Sequence, residues 1–200
     1  MLAWLAWTRR AVLAAGLAAA AAPVAAETRL GDDGLHKAPW MRETFLDLRE
    51  DLAEASAEGK RFAIIFEQRG CIYCTKMHEE VFPREEVADY LNDNFFVVQL
   101  NLHGDLEVVD LDGDLRSEKD MARKWGILFT PTLMFLPEEV DGDATAPQAA
   151  VATMPGAFGW QTVLDMLTWV NEKRYALDGE EDFQRYHARM IEERASGRAE

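Results

Sequence analysis

The chain has 200 residues and carries 21 basic against 36 acidic side chains, so its formal net charge is −15 at pH 7. So large an excess of negative charge argues against nucleic acid and against anionic membrane surfaces as binding partners. The length suits one domain with a sizeable hydrophobic core.

Residues 1–26 are predicted to be an export signal. Arg9 and Arg10 end a short basic segment, and the apolar run after them has 12 residues, which is too short to cross a bilayer comfortably. Small residues before Glu27 offer a cleavage site, and an uncleaved membrane anchor is the alternative. The arginine pair also resembles a twin-arginine export motif. Cleavage after Ala26 would leave 19 basic and 36 acidic residues, a net charge of −17 that fits a soluble exported protein.

The segment before the first strand divides into a lead-in and a helix. Residues 27–39 are polar, contain glycine and show no periodicity, so we predict a flexible lead-in. Apolar side chains then recur at helical spacing between residues 40 and 57: Met41, Phe45, Leu48, Leu52 and Ala55. This spacing predicts an N-terminal helix that ends near Gly59. The apolar run at residues 62–66 is typical of a short strand buried on both faces.

The only two cysteines of the sequence, Cys71 and Cys74, follow this strand and open a helical pattern that Pro83 should end or kink. Cys71 would lie at the helix start, where free N–H groups and the helix dipole stabilise an anion, here a thiolate. An ordinary thiol has a pKa of about 8.5, which falls to roughly 3.5–7.5 in Cys-x-x-Cys settings. Cys74 is one turn further on, close enough for a disulfide. We therefore predict that Cys71 is the attacking thiolate and Cys74 the resolving thiol of a dithiol–disulfide exchange site.

Two other interpretations of the cysteine pair stay open. His78 lies four residues after Cys74 on the same helix face, so Cys71, Cys74 and His78 could hold copper or zinc in a metal-binding or metal-delivery protein. A zinc site wants four ligands, and no fourth is obvious. The pair could also be an inert structural disulfide. Haem attachment is disfavoured because Thr75, and not histidine, follows Cys74. Exchange, which needs no metal or organic cofactor, is the interpretation that we favour.

The middle of the chain is predicted to contain a short helix over residues 85–92, a strand over residues 95–102 and an acidic loop over residues 104–120. Three aspartates alternate around Gly113 in this loop: Asp110, Asp112 and Asp114. Such spacing suggests calcium, but an EF-hand loop needs glycine at its sixth position and glutamate at its twelfth, whereas Gly113 is fourth. We predict a solvated loop, with a calcium site as the alternative.

The C-terminal half is predicted to hold three helices and two strands, with a loop over residues 137–148. These elements are a helix over residues 118–125, a strand over 126–136, an antiparallel strand over 149–153, a helix over 160–170 and a last helix over 181–195. Thr130 and Pro131 lie near the start of the first strand. Proline donates no hydrogen bond there, and the bond before it is of the kind that can be cis.

This order of elements resembles the thioredoxin fold, and the residues that carry the resemblance are the Cys71–Cys74 motif and the Thr130–Pro131–Thr132–Leu133 run. The resemblance implies an α/β fold with a central mixed sheet flanked by helices over residues 40–176. Beyond the elements of that fold, the sequence has an extra N-terminal helix and a C-terminal helical extension over residues 177–200. In that family the proline is cis and packs against the active cysteines. By resemblance, Thr130 and Pro131 form a substrate-binding edge, and Tyr73 lies at the rim of the site.

The longer run from Phe66 to Cys74, together with the export signal, is similar to the SoxW-type periplasmic thioredoxin-related proteins, which are associated with sulfur-oxidation systems. This resemblance implies a periplasmic reductant that acts on disulfide-containing exported proteins. It also implies a DsbD/CcdA-like membrane thiol transporter as the electron donor.

One departure from ordinary thioredoxin concerns proton transfer. Ile65 occupies the strand position at which thioredoxin has a buried aspartate, so the usual proton acceptor is missing. Glu67, at the strand end, is the nearest candidate to take the proton of Cys74, and a solvated strand-end carboxylate is the alternative. We expect His78 to be a residue of the helix surface.

Overall fold

The computed structural model describes residues 29–140, 142–177 and 182–197. The predicted export signal lies outside the described residues. The strands are β1 (Arg29–Leu30), β2 (His36–Lys37), β3 (Met41–Arg42), β4 (Arg61–Glu67), β5 (Phe95–Asn101), β6 (Glu107–Val109), β7 (Leu115–Ser117), β8 (Thr132–Phe135) and β9 (Ala152–Pro155). The helices are α1 (Leu48–Ala57), α2 (Ile72–Lys76), α3 (Glu85–Asn94), α4 (Glu118–Lys124), α5 (Ala146–Ala149), α6 (Trp160–Asn171) and α7 (Phe183–Ala195). A π-helical turn, Met77–Val81, continues α2, and a 3₁₀ turn, Arg174–Ala176, follows α6.

A five-stranded mixed sheet in the order β3-β5-β4-β8-β9 organises the described chain. The central strand β4 is parallel to β5 and antiparallel to β8. Successive side chains of β4 point to opposite faces of the sheet and enter two different hydrophobic clusters. One cluster joins Ala63 and Ile65 to α3 and α6, and the other joins Ile64 and Phe66 to α1 and α4. Helices on both faces therefore confirm the predicted α/β class with a central mixed sheet.

The lead-in at residues 29–39 is more regular than the sequence predicted. β1 and β2 pair antiparallel, with Arg29 opposite Lys37. Leu35 and Ala38 are buried, at 3% and 8% exposure, and Ala38 packs into the hydrophobic cluster that contains Ile65. The prediction of a flexible arm was wrong here because apolar residues spaced among polar ones anchor the segment to the domain, although they form no periodic pattern.

The N-terminal helix begins at Leu48 and not at residue 40 as predicted. Asp47 caps it, since the Asp47 carboxylate accepts hydrogen bonds from the backbone N–H groups of Arg49 (3.1 Å) and Glu50 (3.3 Å). Upstream of the cap, β3 pairs parallel with β5 and forms the sheet edge. Phe45 is 98% exposed, so its four-residue spacing from Met41 does not mark the buried face of a helix.

The acidic stretch forms a hairpin and not the predicted solvated loop. β6 and β7 pair antiparallel, and Val108 is fully buried in the cluster beneath them. The Lys124 ammonium lies 2.9 Å, 2.8 Å and 3.0 Å from carboxylate oxygens of Asp110, Asp112 and Asp114. Burial disfavours the ammonium charge, but hydrogen bonds to these carboxylates outweigh it and raise the pKa of Lys124. A lysine of the chain thus occupies the position at which the calcium alternative would place an ion.

The C-terminal extension is helical, as predicted, and α7 packs on α6 through the Tyr186 ring, which is 3% exposed. Asp182 caps α7 by accepting a hydrogen bond from the Arg185 N–H at 2.9 Å.

The predicted loop over residues 137–148 contains the start of the short helix α5. Within the described ranges, no helix has the length and apolar character needed to cross a membrane.

Candidate redox site

The two cysteines lie at the junction between the central strand and the helix that follows it. Gly70 makes the turn with a φ of 72°, a conformation that glycine adopts without a steric penalty. Cys71 is the N-cap of α2, and its Sγ accepts a hydrogen bond from the Cys74 N–H at 3.0 Å. The two residues form a disulfide with a Cα–Cα distance of 5.2 Å. Cys71 retains 6% exposure and Cys74 none, so an incoming group reaches Cys71 first.

The segment before β8 contacts the first cysteine, although it is 59 residues away in sequence. The Thr130–Pro131 peptide bond is cis. The Thr130 hydroxyl donates to Cys71 Sγ at 3.3 Å, and the Thr130 carbonyl oxygen lies 3.4 Å from the same sulfur. The hydroxyl and the Cys74 N–H are therefore two donors aimed at Cys71 Sγ. Donors in this position stabilise a thiolate once the disulfide is reduced.

Exposed apolar side chains surround the disulfide. Ile72 and Tyr73, between the cysteines, are 73% and 58% exposed, which agrees with the predicted position of Tyr73 at the rim. Leu128 and Phe129, just before Thr130, are 78% and 62% exposed. The pattern of the sequence predicted a strand over residues 126–136, so this second pair was not expected to stand out beside the site. The strand begins only at Thr132, so the two side chains stay outside the core.

Glu67 is fully buried at the end of β4, which excludes the solvated alternative. Its Oε1 lies 2.9 Å from His78 Nε2, and its Oε2 accepts a hydrogen bond from the Gln99 side-chain amide at 2.5 Å. His78 is 2% exposed, so the expectation of a surface histidine was wrong. The π-helical turn that contains His78 packs toward the sheet, and the β1–β2 hairpin covers it. Regular helical periodicity gives no sign of either feature.

The hairpin contributes His36 to these surroundings, and no motif of the sequence pointed to this residue. The His36 ring stacks on the His78 ring with centroids 4.5 Å apart and an interplanar angle of 10°. His36 Nε2 lies 3.3 Å from the Thr75 hydroxyl. Burial lowers the pKa of His36. Residues 36, 67, 78 and 99 thus form one polar cluster around the buried Glu67 carboxylate, which we call the Glu67 cluster.

The geometry does not favour a metal centre at this site. The sulfurs of Cys71 and Cys74 are bonded to each other, so the predicted set with His78 is not assembled. In the part of the chain that the structure describes, ligand atoms of His36, Glu67 and His78 do lie within 4.8 Å of one another. A ring nitrogen binds a metal through the lone pair in its own plane, however, and two stacked rings cannot direct both lone pairs to one point. The three residues do not fit a metal ion in this arrangement.

Comparisons with known proteins agree with the predicted fold. Residues 48–146 match a family model described as a thioredoxin-like domain. No curated protein sequence matches the chain. Among solved structures, a thioredoxin from Thermus thermophilus is 22% identical, with a TM-score of 0.50 over 67% of this chain and 90% of that one. At this identity the likeness concerns the fold, and the predicted thioredoxin fold is confirmed.

Two further solved structures are similar at lower scores. A thioredoxin-fold protein from Helicobacter pylori is 17% identical, with a TM-score of 0.45 over 67% of this chain and 81% of that one. The C-terminal domain of DsbD from Neisseria meningitidis is 13% identical, with a TM-score of 0.41 over 60% of this chain and 91% of that one.

Proposed function

We propose that this chain, whose thioredoxin fold includes a thioredoxin-like domain at residues 48–146, catalyses thiol–disulfide exchange with other proteins. In the reduced form, the Cys71 thiolate attacks one sulfur of a partner disulfide, and the second partner sulfur leaves as a thiolate that takes a proton. Cys74 then loses its proton and attacks Cys71 Sγ. The Cys71–Cys74 bond forms, and the first partner sulfur is released. Two electrons pass to the partner, and neither a metal nor an organic cofactor takes part.

The observation that carries this proposal is the contact between Cys71 and the residue before the cis proline. Two donors, the Cys74 N–H and the Thr130 hydroxyl, meet at Cys71 Sγ, so a negative charge on this sulfur is stabilised. The second sulfur is bonded to the first and is fully buried. A nucleophile that keeps some exposure, with a fully buried resolving group beside it, suits stepwise exchange.

Partner proteins would bind along the edge that Thr130 and Pro131 form. Pro131 has no N–H, and an extended partner segment can run beside this edge with its sulfur near Cys71. The exposed side chains of Tyr73, Leu128 and Phe129 would then contact apolar residues that flank the partner's cysteine. The mature net charge of −17 disfavours nucleic acid as a partner.

We also propose that Glu67 takes the proton of Cys74 when the mixed disulfide is resolved. Glu67 is buried at the end of β4, immediately before the turn that leads to the cysteines. A buried carboxylate beside a thiol accepts its proton without involving bulk solvent, which is how general bases act.

The cellular setting that we propose is export to the periplasm and work as a reductant of the SoxW type. The pattern at residues 1–26 supports export, with the twin-arginine route as a candidate, and the run from Phe66 to Cys74 supports the SoxW-type assignment. Its partners would be disulfide-containing exported proteins, and a DsbD/CcdA-like membrane thiol transporter would return its electrons. An oxidising compartment makes such a donor necessary, because the pair would otherwise stay oxidised.

Reduction of insulin by dithiothreitol, followed as turbidity, tests the activity. The wild-type protein should accelerate the reaction, and Cys71→Ser should abolish the acceleration. Cys74→Ser should instead accumulate a mixed disulfide with insulin that appears on non-reducing gels, because Cys71 still attacks but nothing resolves the product. Metal content is measured on the same samples. A wild-type protein that holds one equivalent of metal and shows no turnover would refute the proposal.

A further inference from the structure

The orientation of Gln99 shows that Glu67 acts as a hydrogen-bond acceptor. The Lys37 ammonium lies 2.7 Å from Gln99 Oε1, and since an ammonium only donates, this atom is the amide oxygen. The amide nitrogen therefore faces the Glu67 carboxylate at 2.5 Å and the His36 carbonyl at 2.8 Å. Gln99 donates to both, so Glu67 Oε2 is a hydrogen-bond acceptor.

The surroundings of His78 indicate which ring nitrogen of the neutral imidazole carries the proton. Nδ1 is buried and has no hydrogen-bond partner among the described residues. A proton on Nδ1 would be an unsatisfied buried donor, which costs about 1–3 kcal/mol. Trp40 and Phe82 pack on the ring at centroid distances of 6.4 Å and 5.0 Å, so this side of His78 is apolar. The proton of a neutral imidazole then resides on Nε2, from which it is donated to Glu67 Oε1 at 2.9 Å.

The helix geometry places this histidine one turn after the resolving cysteine. His78 follows Cys74 by four residues, a spacing that puts two side chains on one helix face, and both side chains are buried. The helix widens into its π turn at Met77, and such turns occur frequently at functional sites. Glu67 contacts His78 from the strand below. Through its hydrogen bond to His78, Glu67 therefore reaches the helix face that also carries Cys74.

We propose that His78 is a positioning residue for the resolution step: its Nε2–H holds the Glu67 carboxylate ionised and directed to receive the proton of Cys74. The inference rests on the proposed exchange activity and on Glu67 as the proton acceptor. In the step, the Cys74 S–H bond breaks and Glu67 gains the proton. Cys74 then bonds to Cys71, and the partner thiolate leaves. His78 itself keeps its proton and changes no bond.

Several charged or titratable groups face His78, and they define what a pH experiment reports. Glu67 lies on β4 and His36 on β2, Glu79 follows His78 on its own turn, and Lys37 acts through the Gln99 amide. Of these, Glu67 contacts the imidazole through a hydrogen bond and His36 through ring stacking. Removing the Nε2–H should therefore change the hydrogen bonding of Glu67 first.

Two substitutions of His78 separate positioning from simple packing. His78→Leu removes the donor and keeps an apolar side chain in the apolar surroundings. His78→Gln restores an N–H at the end of a side chain of similar reach, so it serves as the rescue variant. Reduced protein is mixed with one equivalent of dithiobis-nitrobenzoate, and the coloured thiol is released twice, first when Cys71 attacks and then when Cys74 resolves.

We expect His78→Leu to slow the second release by about tenfold at pH 7, which is the effect of one lost hydrogen bond to a charged group, and to move its half-maximal pH upward. The first release should be unchanged, and His78→Gln should recover most of the second. An identical pH profile for His78→Leu, or no recovery with His78→Gln, would overturn the positioning role. A wild-type protein that releases no second thiol would instead refute the exchange activity itself.

Discussion

Two buried carboxylates of this protein each contact a histidine, yet the rest of their surroundings differ. Asp165 on α6 is 3% exposed and lies 2.5 Å from His187 Nδ1, while two guanidinium N–H groups of Arg194 donate to it at 2.8 Å and 2.7 Å. The second ring nitrogen of His187 lies 3.2 Å from the Thr162 hydroxyl. These contacts join α6 to α7, and the hydrogen bond to Asp165 raises the pKa of Arg194.

The Glu67 cluster has neither of these features. Its donors are the Gln99 amide and the His78 imidazole, and His78 Nδ1 has no partner in the described ranges. A guanidinium, which carries a permanent charge, pairs with Asp165, whereas the two donors to Glu67 carry no permanent charge. A carboxylate–histidine pair thus anchors a helix at one place, and we propose that it takes part in proton transfer at the other. The compensating cation makes the difference.

The largest expected effect comes from removing the Glu67 carboxylate, which is not paired with a cationic side chain. Glu67→Gln should slow the resolution of mixed disulfides by about 100-fold at pH 7, because general-base catalysis contributes about 10²–10⁴-fold. The attack of Cys71 should keep its rate. Stopped-flow measurement of the two steps checks this, with Asp165→Asn as the matched control at the other pair. A resolution rate equal to that of the wild type would remove Glu67 from the mechanism.

A smaller effect, on stability and not on rate, is expected at the α6–α7 contact. Asp165→Asn should lower the free energy of unfolding by about 2 kcal/mol, because the partly buried Arg194 loses half of its bidentate acceptor. Urea denaturation measures the change, and disulfide exchange should proceed at the wild-type rate. A loss of stability below about 0.5 kcal/mol would show that the contact does not anchor α7.

A third buried carboxylate, Asp51, sharpens the comparison because a hydroxyl is its hydrogen-bond donor, with Thr44 Oγ1 at 3.1 Å. Burial, reinforced by nearby acidic groups, raises the pKa of Asp51 from 3.8 to about 6. Between these values the folded protein binds a proton that the unfolded chain does not, so this contribution to stability falls as the pH rises from 4 to 6.

Asp51→Asn should remove this pH dependence. The variant should be more stable than the wild type by about 1 kcal/mol at pH 7, and its advantage should shrink at about pH 4, where the native carboxyl is protonated. Chemical denaturation at the two pH values gives the comparison. An equal difference at both would show that Asp51 does not titrate in this range.

Local patterns predicted the central elements well. The apolar run at residues 62–66 became β4, and the Cys-x-x-Cys spacing placed Cys71 at a helix start, because both follow from contacts between near neighbours in the chain. The start of α1 and the hairpin at residues 107–117 were predicted wrongly. An exposed aromatic such as Phe45 imitated helical periodicity, and an acidic segment gained its order from Lys124, which lies beyond the hairpin in the sequence.

The sequence by itself determined the order of the central elements, the exchange motif and the proline segment, since each depends on residues within a few positions of one another. Tertiary structure alone decided that Glu67 is buried and that His36, His78 and Gln99 meet around it. These four residues lie on β2, β4, the π turn and β5, and only the packing of the hairpin and helix against the sheet removes Glu67 and His78 from water. Burial makes their hydrogen bonds obligatory, and no local pattern in a sequence reports which polar side chains will share a buried site.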